Sequence, residues 1–190
     1  SFSHVARLPA GCAARLVGNP VRPQIRAMRG AEYAPSAEGQ PFLLLVTGGS
    51  QGARVFTDVV PAALTRLDEA LRRRLRVAHQ ARPEDAQRAK AAYVAAGIDA
   101  EVEPFLTDIA LRLSRAHLVI CRAGASTCAE IACVGRPALF VPYPFAMDDH
   151  QTANARAFAE PGGGWVLGQA NFTPAIFAER VQGWMSTPTQ

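Results

Sequence analysis

From Phe42 onward, short apolar runs alternate strictly with longer stretches in which apolar residues recur every three or four positions. The short runs are typical of buried strands, and the longer stretches are typical of amphipathic helices. Strands are predicted over residues 42–46, 76–79, 100–102, 118–121, 138–141 and 164–167. Helices are predicted to begin near Gly52, Pro83, Thr107, Ser126, Asp149 and Thr173.

This alternation predicts that each strand is followed by a helix that crosses over to the next, parallel strand. Such crossovers are right-handed in nearly all known folds. We therefore predict an α/β domain with a doubly wound, mostly parallel, six-stranded Rossmann-like sheet. Ligands bind such sheets at the carboxyl ends of the strands, where the winding reverses direction. The loops that directly follow strands are therefore the candidate sites.

The first 41 residues have a different pattern from the rest of the chain. Residues 18–23 (GNPVRP) and 34–41 (APSAEGQP) are rich in residues that interrupt helices and strands. We predict that residues 1–33 are the tail of a preceding domain with an interdomain segment, residues 34–41 a linker, and residues 42–190 the folded domain. Because the sequence opens at Ser1, without a methionine, we expect the chain to be a piece of a longer protein.

Composition excludes several classes of protein. Apolar residues make up 49% and charged residues 19% of the chain, which is typical of a folded globular domain. No apolar run approaches the roughly 18 residues of a membrane-spanning helix. The four cysteines have neither a CxxC pair nor the spacing of a zinc site, so we expect buried thiols and no metal.

The net charge of +4 includes one arginine run at residues 72–74 and 76. Such a run is either a site for phosphate or anionic lipid or, more commonly, a solvated helix end. We favour the helix end, and we expect no nucleic acid partner.

The first candidate loop, residues 47–54 (TGGSQGAR), follows the first predicted strand and leads into a helix. Its glycines permit a tight turn and close approach of the backbone, and the free N–H groups at a helix start favour a phosphate. The loop lacks the Lys-Ser/Thr of a P-loop, and Ser50 breaks the GxGxxG spacing of a dinucleotide site. On these residues alone, a phosphate site and a plain structural turn are equally good interpretations.

The second candidate loop, residues 122–130 (RAGASTCAE), follows the predicted strand at 118–121. Small residues at a helix start permit close approach of a diphosphate, and the Glu130 carboxylate can accept two hydrogen bonds from a ribose diol. Thr127 and Glu130 also fit the S/T-x-x-E capping box, which needs no ligand. The residues leave both interpretations open.

The third candidate loop, residues 142–154, delays its helix with two prolines. Asp148 or Asp149 is expected to cap that helix, and Gln151 and Asn154 then share one helix face. Paired amides suit sugar hydroxyls, although amides on a helix surface are more often only solvated. His150 has no adjacent nucleophile or metal ligand, so we predict a binding role for it and not a catalytic one.

Taken together and in this order, these loops resemble the MurG-type transferases of glycosyltransferase family 28, which have the two-domain GT-B fold. The resemblance spans residues 17–184. It rests on residues 18–22 (GNPVR), 48–54 (GGSQGAR), 121–127 (CRAGAST) with Glu130, 137–142 (PALFVP), and 149–151 (DHQ) with Asn154. His150 replaces a common glutamine, and Ser126 replaces a commonly apolar residue.

The resemblance implies that the chain is the C-terminal, donor-binding half of an inverting glycosyltransferase. Such enzymes transfer N-acetylglucosamine (GlcNAc) from UDP-GlcNAc to the lipid-linked muramyl-pentapeptide, converting lipid I to lipid II in peptidoglycan synthesis. They work without a cofactor and lie peripherally on the cytoplasmic side of the inner membrane. The N-terminal domain of the family carries the base candidates and the acceptor and membrane contacts, so we expect the chain alone to bind donor and to transfer nothing.

The resemblance also implies a role for each matching residue in binding the sugar diphosphate. Ser50, with Gln51 and Gly52 in the same glycine loop, is expected beside the diphosphate. The second loop is expected to approach the diphosphate and the sugar, with GlcNAc hydroxyls contacted from the third loop and His150 near the phosphates. These second- and third-loop contacts fall on Ala125, Ser126, Thr127, Gln151 and Asn154.

For the nucleoside, the resemblance implies three further contacts. Glu130 is expected to hold the ribose hydroxyls, and the backbone of Leu106 is expected to pair with uracil. Arg22 is expected at the cleft near the nucleotide.

Two other functions stay open. The chain fits another GT-B donor half, such as that of a glycolipid galactosyltransferase, or a donor-binding subunit that pairs with a separate membrane chain. From a different class, it fits a Rossmann domain that binds NAD or senses nucleotides without transferring a sugar. The broken GxGxxG and the absence of an acidic residue in the predicted strand 76–79 count against NAD.

Overall fold

A computed structural model of the chain describes residue 15 and residues 17–49 and 53–186. All six predicted strands are present, and each predicted end is within one residue of the observed end. Shifts of this size are usual at the ends of strands and helices. The strands are β1 (Phe42–Thr47), β2 (Leu75–Gln80), β3 (Asp99–Glu103), β4 (Leu118–Cys121), β5 (Ala138–Phe140) and β6 (Gly164–Val166).

The six predicted helices are also present, and each begins within two residues of the predicted start. They are α2 (Arg54–Leu64), α4 (Pro83–Ala95), α5 (Ile109–Arg115), α6 (Ala125–Val134), α7 (His150–Ala159) and α8 (Pro174–Ser186). Two short helices were not predicted, because one or two turns are too short for apolar periodicity to emerge: α1 (Pro23–Arg26) and α3 (Glu69–Arg74). The arginine run at 72–74 forms the last turn of α3, as the helix-end interpretation requires.

The sheet is entirely parallel, with strand order β3-β2-β1-β4-β5-β6, which confirms the predicted doubly wound α/β fold. The winding reverses between β1 and β4, where Leu44 pairs with Leu118 and Thr47 pairs with Cys121. The crossovers after these two strands run to opposite sides, so their carboxyl ends open into a crevice. Both the first and the second candidate loop leave the sheet at this crevice.

Each face of the sheet is covered by helices. In β1, Leu44 and Val46 belong to the apolar cluster under α2, α4 and α8, whereas Leu45 belongs to the cluster under α1, α5, α6 and α7. Successive side chains point to opposite faces of a strand, so burial on both faces explains why β1 is a continuous apolar run. Within the described ranges, no helix is both long and apolar enough to cross a membrane.

The segment before the sheet packs on the domain. Ile25 in α1 is fully buried in the second apolar cluster. The Arg136 guanidinium donates to the carbonyls of Glu32 (2.9 Å) and Ala31 (3.2 Å). The predicted boundaries at residues 33/34 and 41/42 stay a prediction, but the part of the 1–33 segment that the structure describes belongs to the same packed body.

A titratable pair lies in the core between β2 and α4. His79 Nδ1 is 2.9 Å from the Tyr93 hydroxyl, and His79 Nε2 has no partner in the part of the chain that the structure describes. Burial lowers the pKa of His79 to about 4 and raises the pKa of Tyr93. His79 is therefore neutral in the folded protein over the physiological range of pH.

Candidate functional site

A cleft of about 1360 Å³ opens at the carboxyl ends of β1 and β4. Its volume suits a ligand larger than most drug-sized molecules. Six of the residues predicted for the site line it, and they come from the segments after β3, β4 and β5 and from the 17–33 segment: Arg22, Leu106, Ser126, Thr127, Glu130 and Gln151. Ser50, Gln51 and Gly52 lie outside the described residues, although Gly48 and Gly49 of the same loop line the cleft.

The start of α6 faces this cleft. The helix begins at Ala125, with Gly124 at the N-cap position and no capping side chain. The first N–H groups of a helix have no partner within it, and the helix dipole adds partial positive charge there. Ser126 and Thr127 line the cleft, while Ala125 is exposed but not part of the lining. This end of α6 therefore has the form of an anion site.

The capping-box interpretation of this loop is wrong. Thr127 is the third residue of α6 and not its N-cap, because Gly124 already turns the chain into the helix. Glu130 instead pairs with Arg22, whose Nε donates to Oε1 (2.6 Å) and whose Nη2 donates to Oε2 (2.8 Å). These hydrogen bonds raise the pKa of Arg22.

The Arg22–Glu130 pair leaves room for a ligand. The Glu130 side chain is 14% exposed at the cleft wall, and Arg22 is 46% exposed. A carboxylate has about four lone-pair sites, of which this bidentate contact uses one on each oxygen. Each oxygen of Glu130 therefore keeps the capacity to accept another hydrogen bond, as a vicinal diol would require.

Gln151 and Asn154 share one face of α7, as predicted, but they hold protein backbone. Gln151 Oε1 accepts from the N–H groups of Ala123 (3.2 Å) and Tyr143 (3.0 Å). Asn154 is buried, and its Nδ2 donates to the Ala123 carbonyl (2.9 Å). The solvated-amide interpretation is therefore wrong, and Asn154 does not line the cleft. Contact of either side chain with a sugar stays a prediction.

The loop before α7 has an unusual backbone. Asp148 and Asp149 both have positive φ, at 52° and 51°, which aspartate tolerates better than most residues. Asp149 stands at the N-cap of α7 but makes no side-chain cap, so the cap predicted for Asp149 is wrong. Its Oδ1 accepts instead from the Thr152 hydroxyl (2.6 Å). An N-cap residue normally has extended φ and ψ, and the left-handed backbone of Asp149 departs from that geometry. This departure explains why its side chain does not cap the helix.

His150 is exposed and lies outside the lining of the cleft. Its Nδ1 lies 2.7 Å from the Met147 carbonyl. A carbonyl accepts hydrogen bonds only, so Nδ1 is the ring nitrogen that carries a proton in this contact. The binding role predicted for His150 stays a prediction.

The nucleoside end of the predicted site is lined by Leu106. Its side chain is buried in the second apolar cluster, and it follows directly on the exposed Phe105. Among the described residues, nothing accepts a hydrogen bond from its backbone N–H. In the described part of the chain, the Leu106 N–H is therefore available to a uracil base. The contact with the base stays a prediction.

Two features of the site were not predicted. The first is an excess of positive charge. In the described part of the chain, the cleft is lined by four arginines and only two carboxylates: Arg22, Arg54, Arg82 and Arg122, with Asp58 and Glu130.

The second is a hydrogen bond between the ends of two strands. The Thr47 hydroxyl donates to Gln80 Oε1 (2.7 Å) and accepts from the Gly49 N–H (3.3 Å). This bond joins the glycine loop to the end of β2. Thr47 and Gln80 are 33 residues apart, and no local pattern in the sequence reveals the pairing.

A family model described as the glycosyltransferase family 28 C-terminal domain matches residues 43–190. The chain belongs to glycosyltransferase family 28. The match covers all six strands, with β1 from its second residue, and every segment that lines the cleft except residues 20–23. It confirms the family that the strand-end loops predicted, and the domain is the C-terminal one of that family.

Curated family 28 relatives match over nearly the whole chain. A protein of Granulibacter bethesdensis is 52% identical over 188 residues, and one of Rhodospirillum rubrum is 53% identical over 188 residues. Each match covers 99% of this chain. Both relatives are named UDP-N-acetylglucosamine–N-acetylmuramyl-(pentapeptide) pyrophosphoryl-undecaprenol N-acetylglucosamine transferase. The chain spans about half the length of these relatives, 49% and 48%.

Among solved structures, a crystal structure of MurG from Acinetobacter baumannii is similar, with a TM-score of 0.71 and 35% sequence identity. The match covers 80% of this chain and 46% of that chain. The observed α/β fold is therefore that of a GT-B glycosyltransferase domain of family 28.

Proposed function

We propose that this chain is the donor-binding domain of an inverting transferase that moves GlcNAc from UDP-GlcNAc to a lipid-linked muramyl-pentapeptide. The observation that carries the proposal is the Glu130 carboxylate beside the open N-terminus of α6, in one cleft at the point where the sheet reverses its winding. The names of the two relatives support the choice of donor and acceptor.

In this proposal, the cleft separates the parts of the donor. The Glu130 carboxylate accepts hydrogen bonds from the ribose diol, and Leu106 presents its backbone to uracil. The diphosphate lies between the glycine loop after β1 and the N–H groups of Ser126 and Thr127. The four arginines in the lining add the positive potential that draws a dianionic ligand into the cleft.

The proposed chemistry is a direct displacement at the anomeric carbon. An acceptor hydroxyl forms the new C1–O bond while the bond from C1 to the β-phosphate oxygen breaks, so UDP leaves and the configuration inverts. Negative charge grows on the diphosphate as it leaves, and preorganised N–H groups at a helix start stabilise such charge. The acceptor proton goes to a base outside the described residues, and the reaction needs no cofactor.

The remaining half of the relatives' length has a place in this proposal. We assign to it the base, the contacts with the lipid-linked acceptor, and a peripheral association with the cytoplasmic side of the inner membrane. Closure of a second domain over the cleft also excludes water from the donor. The chain by itself is therefore expected to bind the donor and to transfer nothing.

Calorimetric titration of the chain with UDP-GlcNAc, UDP-galactose, UDP and NADH tests this proposal. The expected result is binding of all three uridine nucleotides, with UDP-GlcNAc favoured over UDP-galactose, and no binding of NADH. A preference for UDP-galactose would contradict the assigned sugar and favour a glycolipid galactosyltransferase. Binding of NADH alone would contradict the proposal as a whole.

A further inference from the structure

Arg122 is the first residue after β4, and its guanidinium reaches the segments that follow two other strands. Nη1 donates to the carbonyls of Val141 (2.9 Å) and Pro142 (3.0 Å), which directly follow β5. Nη2 donates to Gln169 Oε1 (2.6 Å) in the 3₁₀ turn Gln169–Asn171, which follows β6. One side chain thus joins the carboxyl ends of three neighbouring strands.

Two aromatic rings fix the plane of this guanidinium. The Arg122 Cζ atom lies 5.4 Å from the ring centroid of Phe56 in α2 and 5.4 Å from that of Tyr143. Cation–π contacts at this distance are favourable, and more so when water is excluded. Arg122 is half-buried, and desolvation lowers its pKa. Hydrogen bonds along the edge of the guanidinium and contacts with two aromatic rings therefore restrict the orientation of the Arg122 side chain.

The parts that Arg122 joins are those that carry the proposed donor contacts. Its own loop leads into the N-terminus of α6, and the Tyr143 loop leads to Gln151, whose Oε1 returns to the Ala123 N–H. Arg122, Ala123, Tyr143 and Gln151 therefore close a ring of contacts between the loops after β4 and β5. A change in the spacing of these loops displaces the helix start that meets the diphosphate.

We propose that Arg122 is a positioning residue, which sets the spacing of the loops after β4, β5 and β6 and so preorganises the diphosphate subsite. The inference rests on the proposed function, because it assumes that this cleft binds UDP. Lysine is a poor substitute here. Its ammonium lacks the planar fork that reaches two carbonyls and an amide in fixed directions, and it lacks the flat surface that packs against aromatic rings.

A matched arginine stands outside the cleft lining. Arg136 donates to the Ser114 carbonyl (2.6 Å) and the Glu32 carbonyl (2.9 Å), and its Cζ lies 5.5 Å from the Tyr33 ring centroid. It has the same chemistry as Arg122, with carbonyl acceptors and an aromatic face, but it precedes β5 and lies at the amino end of that strand. Arg136 is itself buried, so Arg136→Lys controls for the loss of a packed arginine fork away from the cleft.

The test is UDP binding by calorimetry, with thermal unfolding of every variant, for Arg122→Lys, Gln169→Leu and Arg136→Lys. Arg122→Lys should weaken UDP binding roughly tenfold although the charge is kept, because small displacements of a preorganised site cost about this much or more. Gln169→Leu, which removes one anchor of the fork, should weaken binding in the same direction. Arg136→Lys should lower the melting temperature and leave the UDP affinity within about twofold.

Each alternative has its own result. UDP binding by Arg122→Lys equal to that of the wild type would overturn the inference. Loss of binding in Arg122→Lys with wild-type affinity in Gln169→Leu would also overturn it, and would indicate a direct contact between Arg122 and the nucleotide. If Arg122→Lys does not fold, the UDP affinity of Gln169→Leu is the test. Weaker binding supports the positioning role, and wild-type affinity overturns it. Absence of UDP binding by the wild type would contradict the proposed function instead.

Discussion

Replacing Glu130 with alanine should weaken UDP binding by roughly 100-fold, which corresponds to about 3 kcal/mol. The carboxylate is proposed to accept two hydrogen bonds from the ribose diol, and hydrogen bonds to a charged group contribute about 1.5–3 kcal/mol each. Arg22, which loses its partner in this variant, is 46% exposed and is solvated by water. The expected loss is therefore one of binding and not of folding. Calorimetric titration with UDP measures it.

Two variants sharpen this result. Glu130→Gln keeps the shape and one acceptor oxygen, so its affinity should lie between those of the wild type and Glu130→Ala. Glu179→Ala removes an exposed glutamate on α8, away from the cleft, and should leave the affinity unchanged. Equal UDP affinity in Glu130→Ala and in the wild type would show that the carboxylate does not hold the ribose.

Acidification from about pH 6.5 to about pH 4 should cost the protein roughly 3 kcal/mol of unfolding free energy through His79 alone. The pKa of His79 is about 4 in the folded protein because of burial, whereas an unperturbed histidine has a value of 6.5. Between these values, the unfolded chain takes up a proton that the folded protein does not. The stability contributed by neutral His79 is therefore complete above pH 6.5 and declines as the pH falls toward 4.

Urea unfolding at several pH values between 7.5 and 4.5 measures this slope, with His79→Gln as the comparison. Glutamine is neutral at every pH and offers the Tyr93 hydroxyl a hydrogen-bonding group, so the variant should lose most of the slope. Some slope should remain, because burial also lowers the pKa of the half-buried His117. Parallel pH profiles for the wild type and His79→Gln would contradict the assignment to His79.

The strands, the crossovers and the candidate loops were predictable because each depends on a local pattern. The run at β1 is apolar at every position from Phe42 to Val46, and a strand buried on both faces requires this. The loops after β1 and β4 combine small residues with a helix start, and sequence spacing alone reveals that combination. The reversal of the sheet between β1 and β4 then brings both loops to one cleft.

The contacts that give the cleft its chemistry were not predictable in the same way. Arg22 and Glu130 are 108 residues apart, and Arg122 and Gln169 are 47 residues apart. Apolar periodicity identifies the buried face of an element but not the polar partner that tertiary packing brings to it. The sequence therefore identified Glu130 from its loop and Arg22 through the resemblance, without pairing them, and gave no role to Arg122 or Gln169.

The capping box failed for a related reason. Thr127 and Glu130 have the correct spacing, but Gly124 turns the backbone into the helix before Thr127, so the orphan N–H groups lie earlier in the chain. A bidentate contact with a guanidinium also gives the carboxylate two charge-assisted hydrogen bonds, whereas a capping box gives it one. The Glu130 carboxylate therefore pairs with Arg22, which is distant in sequence, and not with the backbone at the helix start as the local pattern suggested.

In the proposed function, the carboxylate at Glu130 and the start of α6 together hold a uridine diphosphate. The most direct measurement is a crystal structure of this chain grown with UDP. Ribose hydroxyls are expected within hydrogen-bond distance of the Glu130 carboxylate oxygens, and phosphate oxygens are expected at the N–H groups of Ser126 and Thr127. A nucleotide bound elsewhere, with both oxygens of Glu130 engaged by Arg22 alone, would contradict it.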